Sequence, residues 1–185
     1  MITCGIDGSS SCTGVFIFDE LKPIYYNKFR PKDKNASWEQ NIYDIINQIV
    51  PILSEYKVEK IYMEDVPEYA NKGSKGGLLL KPLIVLGGVH MAFYIKLVCE
   101  LGYDIEFDDV YEWRGRLNFL KGERKREDQK EKAVNFINEN FGLDLYFKKN
   151  SKTILNDDDI AEAGCIAWSH IMPQTKPKSF GKGAK

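Results

Sequence analysis

The first 29 residues contain three apolar runs separated by two short polar turns, and this pattern constrains the fold more than any other part of the sequence. The runs are residues 2–7 and 14–19, around the turn Gly-Ser-Ser-Ser-Cys-Thr, and residues 24–29, after Lys22-Pro23. Apolar runs of this length, bounded by Gly, Ser and Pro, are typical of β-strands, and short connections join antiparallel neighbours. The sequence therefore predicts a three-stranded antiparallel meander at the N-terminus.

The remaining chain alternates predicted helices and strands, as is typical of an α/β domain. Ser37 and Gln40 form a capping-box pattern ahead of isoleucines at helical spacing, and Pro51 predicts that this helix kinks or ends early. Apolar patterns predict strands at residues 59–63 and 103–110, and helices at residues 78–101, 125–141 and 157–170. For 185 residues, we expect one domain over residues 1–172 and a basic, disordered tail over residues 173–185.

Composition argues against several classes of protein. No run approaches the roughly 20 uninterrupted apolar residues that cross a bilayer, and the N-terminus lacks the pattern of a signal peptide. We therefore expect a cytoplasmic protein, and the Lys-, Asn- and Ile-rich usage indicates an AT-rich genome, as in a bacterium or a phage-infected cell. The four cysteines are scattered without a C-x-x-C pair, which predicts reduced core residues rather than zinc ligands.

Carboxylates fall at the ends of predicted elements. Asp7 ends the first strand, Glu64 follows the strand at residues 59–63, and four acids open the last helix: Asp157, Asp158, Asp159 and Glu162. If the first and fourth strands are neighbours, Asp7 and Glu64 lie side by side, and either Asp158 or Asp159 shares a helix face with Glu162. Each acid also has a structural explanation, because Asp is common at turns and favours the dipole at a helix start.

The predicted acidic cluster needs cations, because mutual repulsion otherwise raises the pKa values of its carboxylates and neutralises them. Oxygen-rich sites of this kind suit Mg²⁺. Two such ions about 4 Å apart activate a water and stabilise the leaving oxygen during phosphodiester hydrolysis. The acidic set therefore predicts a metal-dependent nuclease with two Mg²⁺ ions in each site, for which Mn²⁺ is expected to substitute.

Four short segments resemble the RuvC-type Holliday junction resolvases, including their shorter phage versions, within the ribonuclease H-like superfamily. Residues 5–9 with Thr13-Gly14 resemble the family's first acidic motif, and residues 61–66 resemble its second. Residues 86–89 resemble a Gly-containing helix, and residues 159–170 resemble the final D-x-x-D-A-x-A-I-A segment, with Glu162 where the family usually has Asp. The resemblance implies an α/β, ribonuclease H-like fold, in which parallel strands extend the antiparallel meander into a mixed central sheet flanked by helices.

The resemblance also implies an active site and a substrate. The catalytic and metal-binding residues would be Asp7, Glu64, Asp159 and Glu162, with Asp158 in reserve. Two protomers would form a symmetric homodimer, in which each site cuts one of two opposed strands of a four-way DNA junction. The phosphates require a basic surface, and the candidate DNA-binding residues are Tyr69 as a stacking platform and the cations Lys72, Lys75, Lys121, Arg124, Lys125 and Arg126.

Other functions compete with this interpretation. The Asp-Gly-Ser-x-x-x-Thr-Gly hairpin also occurs in sugar kinases and actin-like ATPases, where it cradles ATP phosphates, but those proteins generally need two large lobes. A RuvC-like nuclease acting on structured RNA is the closer alternative. A non-catalytic junction-binding protein is disfavoured, because carboxylates beside phosphate bring only repulsion without a metal. We expect branched DNA as the partner, with no nucleotide cofactor and no membrane.

Overall fold

The computed structural model describes residues 1–33, 35–66, 80–120, 125–149 and 155–172. The strands are β1 (Ile2–Asp7), β2 (Thr13–Asp19), β3 (Lys22–Phe29), β4 (Lys60–Glu64) and β5 (Asp104–Asp108). The helices are α1 (Trp38–Glu55), α2 (Leu80–Phe93), α3 (Val110–Arg116), α4 (Arg126–Phe141) and α5 (Asp158–Ile171), and α2 continues as a π-helix over Tyr94–Glu100. The predicted tail over residues 173–185 lies outside the described residues.

The five strands form one mixed sheet in the order β3-β2-β1-β4-β5. Pairings β1–β2 and β2–β3 are antiparallel, which confirms the predicted N-terminal meander. Pairings β1–β4 and β4–β5 are parallel, which confirms the mixed sheet expected of a ribonuclease H-like fold. Ile6 lies beside Met63 in the parallel register, so the first and fourth strands are neighbours and Asp7 and Glu64 follow at the same edge of the sheet.

Both faces of the sheet are covered, because its central strands are apolar at successive positions. Along β2, Val15 and Ile17 face a core shared with α1 and α2, whereas Phe16 and Phe18 face a second core shared with α3, α4 and α5. Both phenylalanines are fully buried, and burial of each contributes roughly 2 to 3 kcal/mol. The result is a three-layer arrangement, with helices on either side of the sheet.

Helix α5 lies directly against β1 and β2, and two glycines make this close approach possible. A Cβ atom at Gly5 would overlap the carbonyl oxygen of Ala163, and one at Gly14 would overlap the carbonyl oxygen of Asp159. On the helix side, the small side chains of Ala163 and Ala167 are fully buried. Helix and sheet therefore meet backbone to backbone at the level where the acidic residues lie.

Helix α1 begins as predicted but extends further than Pro51 suggested. Ser37 is the N-cap, and its side chain accepts a hydrogen bond from the Gln40 backbone N–H at 3.3 Å. The expectation of an early end is wrong, because the helix continues through Pro51 to Glu55. Leu53 is fully buried beyond the proline, and this packing outweighs the backbone hydrogen bond that Pro51 cannot donate.

Helix α3 was not anticipated from the sequence, and it proves important for the site. Asp109 caps its N-terminus by accepting a hydrogen bond from the Tyr111 backbone N–H at 2.6 Å, and Glu112 lies in the first turn. Trp113 in the middle of the helix is fully buried. A short helix of seven residues is thus fixed by its cap and by one large aromatic anchor.

The helical segment Pro82–Glu100 is long and apolar enough to cross a membrane when judged only by length and composition. The core helix of a globular protein meets the same criterion. Here Val89, Phe93 and Leu97 are fully buried against the sheet, and Lys96 forms an ion pair with Glu100 at 2.7 Å. The segment therefore serves as a packing element of the first core in the described fold.

Candidate active site

A cavity of about 780 Å³ lies where β1 and β4 end. Its lining includes every carboxylate predicted for catalysis and the one held in reserve: Asp7, Glu64, Asp158, Asp159 and Glu162. The parallel register of β1 and β4 brings the first two together, and the close packing of α5 on Gly5 and Gly14 brings the other three. Residues separated by up to 155 positions in the sequence thus share one cavity.

Asp7 lies among the other carboxylates. Burial raises its pKa well above the ordinary range, and the negative charges of Glu162, Asp159 and Glu64 raise the pKa further. Lys130 opposes this effect by favouring the charged form. The Asp7 carboxyl therefore interacts electrostatically with carboxylates from both β4 and α5.

Glu64 is held in place by α3. The Trp113 indole Nε1–H donates a hydrogen bond of 3.0 Å to Glu64 Oε2. Burial raises the pKa of Glu64 to about 7, and the Glu162 charge adds to the rise, whereas the Trp113 hydrogen bond and Arg114 lower it. Without a bound cation, this carboxylate is close to half protonated at neutral pH.

Glu162 and Asp159 are one helical turn apart on α5, and each has a second partner. Arg114 Nη2 donates a hydrogen bond to Glu162 Oε1 at 2.8 Å, and it lowers a Glu162 pKa that burial raises. Burial also raises the pKa of Asp159, and a hydrogen bond from the Cys12 thiol lowers it. The shorter Asp159 side chain and the longer Glu162 side chain both line the same cavity.

The other two acids at the start of α5 have different roles. Asp157 binds Lys28 Nζ at 2.6 Å and accepts a hydrogen bond from the Tyr146 backbone N–H at 2.9 Å, and it is not part of the cavity lining. Asp158 is nearly buried, lines the cavity and forms an ion pair with Lys130. Asp157 thus anchors the loop before α5, whereas Asp158 holds the Lys130 ammonium group in the site.

The donor set fits a divalent cation. Within the described ranges, no three His, Cys, Asp or Glu side chains lie close enough together to enclose a metal ion. Arg114 pairs with Glu162, and Lys130 pairs with Asp158. The converging groups are nonetheless oxygen ligands of the type that Mg²⁺ prefers. Burial is the main reason that the pKa values of these carboxylates are raised, and the charges of neighbouring carboxylates add to the rise, which Arg114 and Lys130 oppose.

The turn between β1 and β2 forms hydrogen bonds mainly with itself. The Ser9 hydroxyl accepts from the backbone N–H groups of Ser11 and Cys12 and donates to the Cys12 carbonyl oxygen at 2.6 Å. The Ser9 backbone N–H donates to Thr13 Oγ1 at 3.2 Å. Three backbone N–H groups of the turn, those of Ser9, Ser11 and Cys12, are therefore already engaged, which weighs against a phosphate cradle there.

Of the predicted DNA-binding residues, five lie outside the described residues: Tyr69, Lys72, Lys75, Lys121 and Arg124. Lys125 is the exposed N-cap of α4, and Arg126 lines the cavity. The sequence interpretation missed four further cations of the lining: Arg30, Arg114, Lys130 and Lys148. Lys130 was detectable, because it lies one helical turn after Arg126 on the same face of α4.

Solved structures similar to this chain share its architecture over almost its whole length. Thermus thermophilus RuvC matches at 16% identity with a TM-score of 0.60, covering 92% of this chain and 93% of its own. The chain has a RuvC-type fold. The same RuvC in complex with a Holliday junction substrate matches at 16% identity with a TM-score of 0.59, covering 92% of each chain.

A more distant likeness involves a eukaryotic protein. The yeast mitochondrial Holliday junction resolvase matches the RuvC-type fold of this chain at 14% identity with a TM-score of 0.51, covering 91% of this chain and 77% of its own. No protein family model matches the sequence, and no curated protein matches it. At these identities the likeness establishes the fold, and the function must be argued from the site.

Proposed function

We propose that this protein is a metal-dependent endonuclease that cuts branched DNA. One observation carries the proposal: Asp7, Glu64, Asp159 and Glu162 converge on a single cavity at the edge of a RuvC-type sheet. Their arrangement agrees with the four motifs that resemble the resolvases in the sequence. The solved structures of similar fold include RuvC in complex with a Holliday junction and a mitochondrial Holliday junction resolvase. Holliday junctions are therefore the substrate class to test first.

Asp7 and Glu64 would hold the metal from the sheet, and Asp159 and Glu162 would hold it from α5. When bound, divalent ions supply a polarised water and neutralise charge on the phosphodiester. Trp113 fixes the Glu64 carboxylate through its indole hydrogen bond. Rigid placement matters, because misplacing a metal-binding carboxylate by about 1 Å can cost a factor of a hundred in rate.

The cationic side chains of the cavity would attract the DNA phosphates, which the acidic residues repel. Arg114 and Lys130 are close enough to the carboxylates to pair with them, so they are also in position to bind the oxygens of a phosphate placed in the cavity. The buried Arg114 Nε has no hydrogen-bond partner in the described part of the chain. Binding and catalysis would therefore use different side chains.

A homodimer would supply the two cuts that resolving a junction requires. The surface has an exposed apolar region that could form the dimer interface. Ile84, Met91 and Ile95 form an exposed apolar stripe along α2 and its π-helical continuation, with exposed fractions of 62%, 58% and 46%. Beside the stripe, a groove of about 460 Å³ between α1 and α2 is lined mainly by apolar side chains. Exposed apolar patches of this kind are typical of protein interfaces, and a second copy of this chain is the proposed occupant.

The proposal is tested by incubating the purified protein with a four-way DNA junction, linear duplex and structured RNA. We expect junction cleavage in Mg²⁺ or Mn²⁺ and none in a chelator. The Asp7→Asn variant should lose cleavage but keep junction binding, because one negative charge near the phosphates is removed. Asp19→Asn, which removes an exposed charge at the opposite end of β2, is the matched control and should cut normally.

Several outcomes would contradict the proposal. Cleavage of RNA without cleavage of any DNA would support the RNA nuclease instead. Tight ATP binding without nuclease activity would support the kinase-like alternative. Wild-type cutting by Asp7→Asn would exclude the acidic cluster as the active site.

A further inference from the structure

A segment between α4 and α5 forms one side of the cavity, although it belongs to none of the four motifs. We call residues 146–149 and 155–157 the rim segment. Its two parts are held together by hydrogen bonds: the Asp157 backbone N–H donates to the Tyr146 carbonyl oxygen at 2.8 Å, and the Lys148 N–H donates to Asn156 Oδ1 at 3.0 Å. The Asn156 Nδ2 donates in turn to the Lys148 carbonyl oxygen at 3.2 Å.

The rim segment is also anchored to the rest of the fold. Lys28 Nζ on β3 donates to the carbonyl oxygen of Asn156 at 2.8 Å and to Asp157 Oδ1 at 2.6 Å. At the other end, Asn138 on α4 exchanges two hydrogen bonds with the backbone of Leu145, at 2.8 and 2.9 Å. These contacts fix the backbone on both sides of Phe147 and Lys148, so the two side chains have defined positions.

Neighbouring side chains of the rim segment point in different directions. Phe147 and Lys148 line the cavity together with the carboxylates. Lys149 faces α4 instead, where its Nζ binds Glu131 at 2.6 Å and Asp128 at 3.1 Å. Tyr146 is 47% exposed and is not part of the cavity lining.

Phe147 and Lys148 also lack the partners that similar side chains have elsewhere. Among the described residues, no acidic side chain pairs with Lys148 and no aromatic ring stacks on Phe147. By contrast, Phe141 lies 4.9 Å from Trp168 between ring centroids, and Phe136 lies 5.3 Å from Phe119. An unpaired cation beside a half-buried aromatic ring, next to metal-binding carboxylates, matches the chemistry of a nucleotide site.

We propose that Phe147 and Lys148 bind an unpaired nucleotide of the DNA next to the cleaved phosphodiester. The base stacks on the Phe147 ring, and the Lys148 ammonium binds the adjoining phosphate. A base within a duplex is already stacked on both faces, so this site selects DNA in which a base is released from the helix, as at a branch point. The inference rests on the proposed function, because it assumes that the cavity receives DNA.

The test measures binding in the Asp7→Asn background, where cleavage does not consume the substrate. Affinities for a four-way junction, a single-stranded oligonucleotide and a linear duplex are measured by fluorescence anisotropy over a range of salt concentrations. Lys148→Gln should lower the slope of log K against log salt by about 0.7 to 0.9, the contribution of one phosphate contact. Its matched control is Lys149→Gln, which removes the same charge from the next residue and should leave the slope unchanged.

The aromatic contact is tested in the same assay. Phe147→Leu should weaken binding to the junction and to the single strand about tenfold, with little effect on the duplex, and Phe147→Trp should restore it. Tyr146→Leu is the matched control. Thermal unfolding of each variant shows whether it is folded, and the Leu and Trp variants retain apolar packing against the second core.

Two results would overturn the inference: equal salt slopes for Lys148→Gln and Lys149→Gln, or junction binding by Phe147→Leu as tight as with Phe147 intact. If the wild type cleaves junctions and either result is found, the nucleotide site at Phe147 and Lys148 is refuted and the proposed function stands. If the wild type binds DNA but cuts none, the proposed function fails, and the variants still decide whether the rim segment contacts the nucleotide.

Discussion

Replacing Glu64 with Gln should stabilise the protein when metal is absent, although it removes a proposed metal ligand. Burial and the charge of Glu162 raise the Glu64 pKa from 4.5 to about 7. At 1.36 kcal/mol for each pH unit, keeping this carboxylate ionised in the folded state costs about 3 kcal/mol. Gln carries no charge, and its amide oxygen can still accept the Trp113 hydrogen bond.

The sign of the effect follows from proton binding. The folded carboxyl keeps its proton up to about pH 7, whereas the unfolded one releases it near pH 4.5, so the wild type loses stability as the pH rises across that window. Glu64→Gln should therefore match the wild type near pH 4 and exceed its free energy of unfolding by about 3 kcal/mol at pH 8.

Urea unfolding in a chelator, followed by tryptophan fluorescence, measures this difference. Glu55→Gln is the matched control, because Glu55 is exposed at the end of α1 and its replacement should change little at either pH. With saturating Mg²⁺ at pH 8 the advantage of Glu64→Gln should shrink or reverse, since the wild type then binds the ion more tightly. A variant no more stable than the wild type at pH 8 in chelator would refute the electrostatic reasoning.

Three further predictions concern the backbone contact, an ion pair and the apolar stripe. Gly14→Ala should destabilise the protein by more than about 2 kcal/mol and abolish cleavage, because its Cβ overlaps the Asp159 carbonyl oxygen; urea unfolding and a cleavage assay check this. Lys130→Met should weaken junction binding and lower the free energy of unfolding at pH 8, because it leaves the buried Asp158 carboxylate without its cation, as urea unfolding would show. Met91→Glu should convert a dimer into a folded monomer, measured by light scattering with circular dichroism as the folding control; an unchanged mass would exclude this face.

Local patterns in the sequence determined much of the fold correctly. The meander followed from apolar runs and turn residues, and the capping role of Ser37 followed from its spacing to Gln40. The first and fourth strands are neighbours, which was the condition for placing Asp7 beside Glu64. The early end of α1 at Pro51 was wrong, because tertiary packing of Leu53 outweighs a local preference.

Other features depended on contacts that no local pattern contains. The Arg114–Glu162 pair joins residues 48 positions apart, and the rim segment is anchored beside the cavity by Lys28 and Asn138, which are distant from it in sequence or on another element. Helix α3 was detectable, since Asp109 and Glu112 have capping-box spacing, but its seven residues gave little periodicity. For the same reason, the different roles of Asp157, Asp158 and Asp159 at the start of α5 could not be predicted, because their partners lie on other elements.

The backbone contact between α5 and the sheet has a consequence for how this protein tolerates change. At Gly5 and Gly14 no side chain separates the helix from the strands, so the distance between Asp7 and the acids of α5 is set by two main chains. Substitutions among the aromatic and aliphatic residues of the second core would alter stability while leaving that distance nearly constant. Apart from Trp113, which holds Glu64, the second core can thus change in sequence, while the distance between Asp7 and the acids of α5 is maintained by the absence of two methyl groups.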